Sequence, residues 1–95
     1  SSDLVVVVSL GAGGALLVTG RTCRRIHAPS VRTISKVGAG DSMTGGIVLG
    51  LERGLSLDES AMFGVAAGTA AVMTPGTELC RREDTERIYE KMRKG

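Results

Sequence analysis

The segment Val37-Gly38-Ala39-Gly40-Asp41-Ser42 lies where the sequence pattern changes from extended to helical. Before it, apolar residues occur in short runs that are typical of strands. After it, apolar residues recur at helical spacing, beginning with Met43, Ile47 and Leu51. Strands first and helices second predict a small β-sheet with helices packed on it. The predicted fold class is therefore α/β.

Three short strands are predicted before this change of period. The β-branched run from Leu4 to Ser9 is typical of a strand buried on both faces. The glycine-rich positions 11–14 require a turn, and residues 15–19 and 23–27 predict two further strands at spacings that favour hairpins. Residues 31–37 are expected to continue in an extended form. The edges of so small a sheet would be poorly protected, which suggests that the 95 residues belong to a larger protein.

Three helices are predicted after the change of period. The first begins at Asp41 and ends before Gly54. The second, over about residues 56–72, begins with a capping-box pattern, and Asp84 is expected to cap the third. Small residues on one face of the second helix favour close packing against the first helix, with a flat ligand as the alternative; these residues are Gly64, Ala67, Gly68 and Ala71.

Composition and charge argue against several classes of function. The net charge is +2, and the 12 basic residues alternate with acids and lack neighbouring aromatics, so a nucleic-acid surface is not expected. No apolar run approaches the roughly 20 residues of a membrane span, and no signal-like segment opens the chain. Cys23 and Cys80 are far apart in sequence and indicate no metal site. A cytoplasmic protein is expected.

The two glycine-rich turns each allow a structural and a chemical interpretation. Asp41 is a good residue to cap a helix, yet the N–H groups at a helix start also attract anions, and a carboxylate there can act as a base. Phosphoryl transfer needs both elements. The turn at Gly11-Ala12-Gly13-Gly14 is either a tight hairpin turn or a loop that contacts phosphate together with Ser9. No GxxxxGK[ST] motif is present, which excludes a P-loop enzyme.

Three motifs together resemble one protein family. Residues 37–43, followed by Gly45, are similar to the second signature of the PfkB (ribokinase-like) carbohydrate kinases. Ser9-Leu10-Gly11 with Gly14 resembles the nucleotide-binding turn of that family. Residues 63–70, followed by Gly76-Thr77, resemble its adenine-side helix and loop. The motifs cover nearly the whole chain, and the end of the chain is especially similar to the bacterial 6-phosphofructokinase branch.

The resemblance implies a role for individual residues. Asp41 would be the catalytic base that deprotonates a sugar hydroxyl, and Gly38, Ala39 and Gly40 would form the anion hole for the transferred phosphate. The residues implied to contact ATP are Ser9, Gly11, Gly14, Thr33, Val65 and Thr69. The positions that match the potassium site found in some members are Ser35, Val37, Ala71, Thr74, Gly76 and Glu78.

The resemblance also implies that residues 1–95 are the C-terminal ATP-binding and catalytic portion of a larger ribokinase-like domain. The expected reaction is transfer of a phosphoryl group from ATP, with Mg²⁺, to fructose 6-phosphate by a homodimeric parent. The sugar-binding region and the Mg²⁺ ligands of the family lie outside these residues, so the isolated chain is expected to be inactive. Another kinase of the family, acting on fructose 1-phosphate, ribose or a nucleoside, is one alternative; a noncatalytic nucleotide-binding module is another.

Overall fold

The computed structural model describes residues 4–73 and 82–94 of the chain. Its strands precede its helices, as predicted from the change of period. The elements are β1 (Val6–Ser9), β2 (Ala15–Val18), β3 (Cys23–Ile26), α1 (Ala39–Glu52), α2 (Leu57–Val72) and α3 (Arg82–Lys94). A single 3₁₀ turn, Gly11–Gly13, connects β1 to β2. The α/β prediction is confirmed.

The three strands form one antiparallel sheet in the order β1-β2-β3. Both connections are hairpins, as predicted, and Leu16 of β2 lies between Val8 of β1 and Arg25 of β3. Alternate residues of a strand point to opposite faces, and in β2 this places Ala15 and Leu17 in the core. The sheet therefore presents one face to the helices.

The prediction that the first strand is buried on both faces is wrong for the described part of the chain. Val7 is half-buried and packs on the core, whereas Val6 and Val8 are 41% and 43% exposed. Within residues 4–73 and 82–94, β1 pairs with β2 alone, and helices cover one face of the sheet. The apolar run of β1 is typical of a strand that is covered on both faces, but the described residues cover only one face of β1.

Helix α2 is the centre of the molecule and takes part in two hydrophobic clusters. One cluster joins the sheet to α2 and contains Ala15, Leu17, Ile26, Ala61 and Val65. The other joins α2 to α3 and contains Phe63, Ala66, Ala70, Ile88 and Tyr89. In the second cluster the rings of Phe63 and Tyr89 meet edge to face, with centroids 5.2 Å apart. The sheet and α3 therefore pack on different sides of one helix.

Helix α1 packs against α2 through glycines. A Cβ atom at Gly64 would overlap the side chain of Ile47 and lie 2.7 Å from the carbonyl oxygen of Met43. A Cβ atom at Gly46 would lie 2.9 Å from Cβ of Ala67. Any larger residue at these positions would push the two backbones apart. The packing interpretation of the small-residue face is therefore confirmed at Gly64.

The helix starts agree with the sequence in one case and differ in two. The capping box of α2 is present, because Ser56 Oγ accepts from the N–H of Glu59 while the Glu59 carboxylate accepts from the N–H of Ser56. Helix α1 begins at Ala39, two residues earlier than predicted. Asp84 lies inside the first turn of α3 rather than at its cap, where a carboxylate still interacts favourably with the helix dipole.

Across residues 4–73 and 82–94, no helix combines the length and the apolar character needed to cross a membrane.

Candidate functional site

A cavity of about 380 Å³ opens between the turn after β1, the segment before α1 and the sides of α1 and α2. All six residues that were predicted to contact ATP line this cavity. They are Ser9, Gly11, Gly14, Thr33, Val65 and Thr69. These residues come from three separate parts of the chain, and the fold brings them to one cavity.

The start of α1 forms one wall of the cavity through Ala39 and Gly40. Gly38 caps this helix with a φ of 81°, a conformation that favours glycine, and it has no side chain to cap with. Among the described residues, no acceptor takes the N–H of Gly40 or of Asp41; the first N–H that bonds back into the helix is that of Ser42, to Gly38 O at 2.9 Å. Unpaired donors and the positive end of the helix dipole suit this wall to an anion.

Asp41 is the third residue of α1 and is exposed. Its carboxylate neither caps the helix nor forms an ion pair with any residue that the structure describes. The capping interpretation of Asp41 is therefore wrong, and the carboxylate remains available to a ligand. Gly38 and Asp41 do not line the cavity themselves; they flank Ala39 and Gly40, which do.

The turn after β1 is a tight hairpin turn and also offers backbone donors to a ligand. The N–H groups of Gly13 and Gly14 bond within the turn, each at 3.1 Å. Gly14 has a φ of 92°, and a Cβ atom there would overlap the carbonyl oxygen of Ile26, so this glycine is required by the hairpin. The N–H groups of Gly11 and Ala12 have no acceptor in the described part of the chain. These two donors at the cavity wall remain available to a ligand.

Helix α2 presents a continuous strip of residues to the cavity. Besides Val65 and Thr69, this strip includes Gly68 and Val72. Contact with a flat ligand was one alternative for Gly68, whereas Val72 was not predicted. Their spacing from Val65, three and seven residues, is that of one helical face and is the signal that could have identified them. Thr69 Oγ1 donates to Val65 O at 2.8 Å, so its hydroxyl hydrogen is used within the helix.

The segment between β3 and α1 also lines the cavity and was missed. Pro29, Ser30 and Val31 contribute to the wall, as does Lys36. Lys36 is the one charged side chain of the lining within residues 4–73 and 82–94. Its position immediately before the glycine turn was the available signal.

Half of the potassium-site residues implied by the resemblance can be located. Ser35, Val37 and Ala71 are described, whereas Thr74, Gly76 and Glu78 lie outside the described residues. Ser35 donates its N–H to Val72 O at 3.1 Å, which brings it beside the C-terminal end of α2. Carbonyl groups at a helix C-terminus carry partial negative charge and suit a cation. No group of three or more His, Cys, Asp and Glu side chains within the described ranges is arranged to hold a metal.

Comparisons with known proteins agree on one family. The family model described as pfkB family carbohydrate kinase matches residues 3–84. The chain is 51% identical, over 84 residues, to ATP-dependent 6-phosphofructokinase isozyme 2 of Escherichia coli; the match covers 88% of the chain and 27% of that protein. It is 34% identical, over 89 residues, to 1-phosphofructokinase of Borreliella burgdorferi, covering 93% of the chain and 28% of that protein.

The fold comparison gives the same result. The crystal structure of phosphofructokinase-2 from Escherichia coli in complex with potassium matches with a TM-score of 0.87 and 48% sequence identity. The match covers 94% of this chain and 29% of that structure. The chain thus spans little more than a quarter of the length of these relatives.

Proposed function

Because this chain belongs to the pfkB family of carbohydrate kinases, we propose that residues 1–95 are the ATP-binding and phosphoryl-transfer portion of a sugar-phosphate kinase. The proposed acceptor is fructose 6-phosphate and the product is fructose 1,6-bisphosphate. The identity of 51% to a 6-phosphofructokinase, against 34% to a 1-phosphofructokinase, supports this choice. One observation carries the proposal: unpaired N–H donors and an unpaired carboxylate flank one wall of the cavity.

The proposed anion hole uses the start of α1. The terminal phosphoryl group of ATP lies against Ala39 and Gly40, where the unpaired N–H groups and the helix dipole are fixed before the reaction begins. Charge shifts onto the phosphoryl oxygens and the leaving oxygen during transfer. Donors that need no reorganisation stabilise that charge more than solvent does. The anion hole thereby lowers the barrier to transfer.

Asp41 is the proposed general base. It accepts the proton of the acceptor hydroxyl as the oxygen of that hydroxyl forms its bond to phosphorus. The bond between the terminal phosphorus and the bridging oxygen breaks, and its electron pair leaves with ADP. The absence of a hydrogen bond or ion pair to Asp41 within the described residues supports this role, since a capping carboxylate would be less available.

The remainder of the nucleotide occupies the cavity. The N–H groups of Gly11 and Ala12 are directed to phosphate oxygens, and the strip of α2 that includes Val65 and Val72 supplies apolar contact for the adenine ring. Pockets that combine an apolar wall with a few fixed polar groups are typical of cofactor sites.

Two cations are part of the proposal. ATP is used as its Mg²⁺ complex, but the described residues contain no cluster suited to that ion, so no step is assigned to it. A potassium site is proposed at Ser35, Val37, Ala71, Thr74, Gly76 and Glu78. The bonding of Ser35 to the end of α2 supports it, as does the potassium complex of the Escherichia coli relative. A homodimeric, cytoplasmic parent remains a prediction.

The acceptor is tested with the full-length protein. Fructose 6-phosphate, fructose 1-phosphate, ribose and a nucleoside are each incubated with ATP, and ADP release and the phosphorylated product are measured. We expect fructose 6-phosphate to give the highest kcat/KM. A clear preference for fructose 1-phosphate would instead indicate a 1-phosphofructokinase, like the relative from Borreliella burgdorferi. Binding of ATP without transfer to any acceptor would instead favour the noncatalytic module.

The 95-residue chain by itself is expected to have no appreciable kinase activity. Positioning of the two substrates supplies much of the rate of phosphoryl transfer. The chain spans 27% of the Escherichia coli relative, and the resemblance implies that the sugar-binding region lies outside residues 1–95. Turnover of fructose 6-phosphate by the purified 95-residue chain would contradict this expectation.

A further inference from the structure

Lys36 contributes an unpaired positive charge to the cavity. It lines the cavity, and no ion pair joins it to any described residue. Arg24 pairs with Asp58, and Arg53 pairs with Glu86 at 2.8 Å. Arg32 is also without an ion pair among the described residues, but it does not line the cavity. A cation that is left unpaired at the wall of a cavity is available to an anionic ligand.

The backbone of Lys36 is held on both sides. The N–H of Ser35 donates to Val72 O at 3.1 Å, which ties the preceding residue to α2. The carbonyl oxygen of Lys36 accepts from the N–H of Ala39 at 3.4 Å, which ties the residue itself to the start of α1. The root of the lysine side chain is therefore fixed beside the helix terminus that lines the cavity.

This location places two sources of positive potential together. One is the positive end of the α1 dipole at Ala39 and Gly40, and the other is the Lys36 ammonium group. Each additional phosphate of an adenine nucleotide adds negative charge, and it adds that charge at the end of the ligand farthest from adenine. Two positive sources that border the cavity therefore attract a nucleotide more strongly as its number of phosphates increases.

We propose that Lys36 is a specificity-determining residue that selects nucleoside triphosphate over shorter nucleotides by contacting the terminal phosphates. This inference rests on the proposed ATP site. It assigns to Lys36 a contact with the nucleotide, not with the acceptor sugar and not with the proton that Asp41 accepts. Its effect is therefore on the binding of ATP and increases with the number of phosphates.

The test compares Lys36→Met, Lys36→Gln and Lys36→Arg in the full-length protein. Calorimetry measures the Kd of ATP, ADP and adenosine at low and moderate salt. Loss of the charge is expected to weaken ATP binding by roughly tenfold and ADP binding by less, and to leave adenosine unchanged. The arginine variant retains most of the affinity for ATP, and the salt dependence of ATP binding is shallower in the two neutral variants.

Arg32→Met is the matched control. Arg32 is exposed, lies in the same segment, and is neither part of the cavity lining nor in an ion pair with the described residues. Its replacement removes the same charge and is expected to leave all three Kd values unchanged. An equal weakening of ATP binding in this control would show that net charge, not Lys36, is responsible.

Three outcomes would overturn the inference. In the first, ATP affinity is unchanged in both neutral variants while the wild type binds and uses ATP, so that the kinase proposal survives and the role of Lys36 does not. In the second, the neutral variants raise the KM of the acceptor alone. In the third, the wild-type protein binds no ATP, and the proposed function fails together with the inference.

Discussion

Helices α1 and α2 begin in opposite ways, although both carry an acidic residue at the third helical position. In α2, the hydroxyl of Ser56 and the carboxylate of Glu59 satisfy each other's backbone donors. In α1, Gly38 offers no side chain and Asp41 caps nothing. A side-chain cap is worth about 1 kcal/mol. Helix α1 therefore lacks this stabilisation, and its N–H donors and the Asp41 carboxylate remain unpaired beside the cavity within the described residues.

The state of the two carboxylates follows from these contacts. The hydrogen bond from the backbone of Ser56, followed by that from its side chain, lowers the pKa of Glu59 from its ordinary value of 4.5. Asp41 receives no such bond within the described residues. Glu59 therefore stabilises the start of α2, whereas the Asp41 carboxylate remains available to a ligand.

Replacement of the free carboxylate should have the largest effect. Asp41→Asn in the full-length protein removes the proposed base but keeps the shape of the side chain, so kcat should fall by at least about 100-fold. The Kd of ATP and the thermal unfolding midpoint should change little, because the Asp41 carboxylate neither caps the helix nor forms an ion pair with any described residue. A kcat near that of the wild type would remove Asp41 from the mechanism.

A methyl group added at the open helix start should impair nucleotide use without unfolding the protein. Gly40→Ala places a methyl group at the cavity wall, where no atom of the chain lies within 4 Å of it. We expect kcat/KM for ATP to fall by about tenfold, with stability unchanged or raised by about 0.5 kcal/mol.

Gly45→Ala is the control for this substitution. It adds the same methyl group to α1 in open space, away from the cavity lining. It should give a similar change in stability with unaltered kinetics. Equal kinetic losses in the two variants would contradict the location of the anion hole.

Removal of the α2 cap should lower stability and leave nucleotide binding unchanged. Ser56→Ala is expected to lower the free energy of unfolding by about 1 kcal/mol, because the N–H of Glu59 loses its side-chain acceptor. Nucleotide affinity should be unchanged, since this helix start does not line the cavity. Ser56→Asp, which can still accept a bond from the N–H of Glu59, should recover most of the loss. Denaturant unfolding and calorimetry measure the two effects.

The smallest effect is a dependence of stability on acid. The folded-state pKa of Glu59 is lowered, so its contribution is fully present above the unfolded value of 4.5 and is lost as the pH falls through the folded value. Glu59→Gln can still accept the Ser56 bond but does not titrate. The difference in unfolding free energy between wild type and variant should therefore narrow as the pH is lowered below 4.5. A constant difference in unfolding free energy across that pH range would contradict the lowered pKa of Glu59 in the folded state.

Much of the fold follows from local patterns. Two hairpins, the capping box of α2 and the order of the elements were all predicted, and the ribokinase-like fold implied by the three motifs is confirmed by the match to the Escherichia coli structure. The predicted burial of β1 was wrong because burial depends on what covers a strand, and here Val6 and Val8 are left exposed. The first residue of α1 was misplaced because the start was taken from the helical recurrence of apolar residues, which begins only at Met43.

The candidate site was predicted in part. The residues proposed to contact ATP line one cavity, and all of them except Thr33 belong to motifs. Gly40 also lines the cavity, whereas Gly38 flanks it. Lys36 and the segment around Pro29 belong to no motif and were missed, since they reach the cavity through the path of the chain between β3 and α1. The start of α2 was predicted from its capping box, whereas the unpaired state of Asp41 was not, because the sequence also allowed Asp41 to cap its helix.

The sequence alone determined the α/β order, the capping box of α2 and the glycine turn with its adjacent Asp41, since each depends on residues close together along the chain. Only the tertiary structure decided how equivalent residues are used. Gly64 packs closely against α1 and does not line the cavity, whereas Gly68, one turn later, packs against α1 near Ala39 and also lines the cavity. The physical reason is that burial and the pairing of backbone donors depend on contacts between residues distant in sequence, and such contacts leave no local pattern.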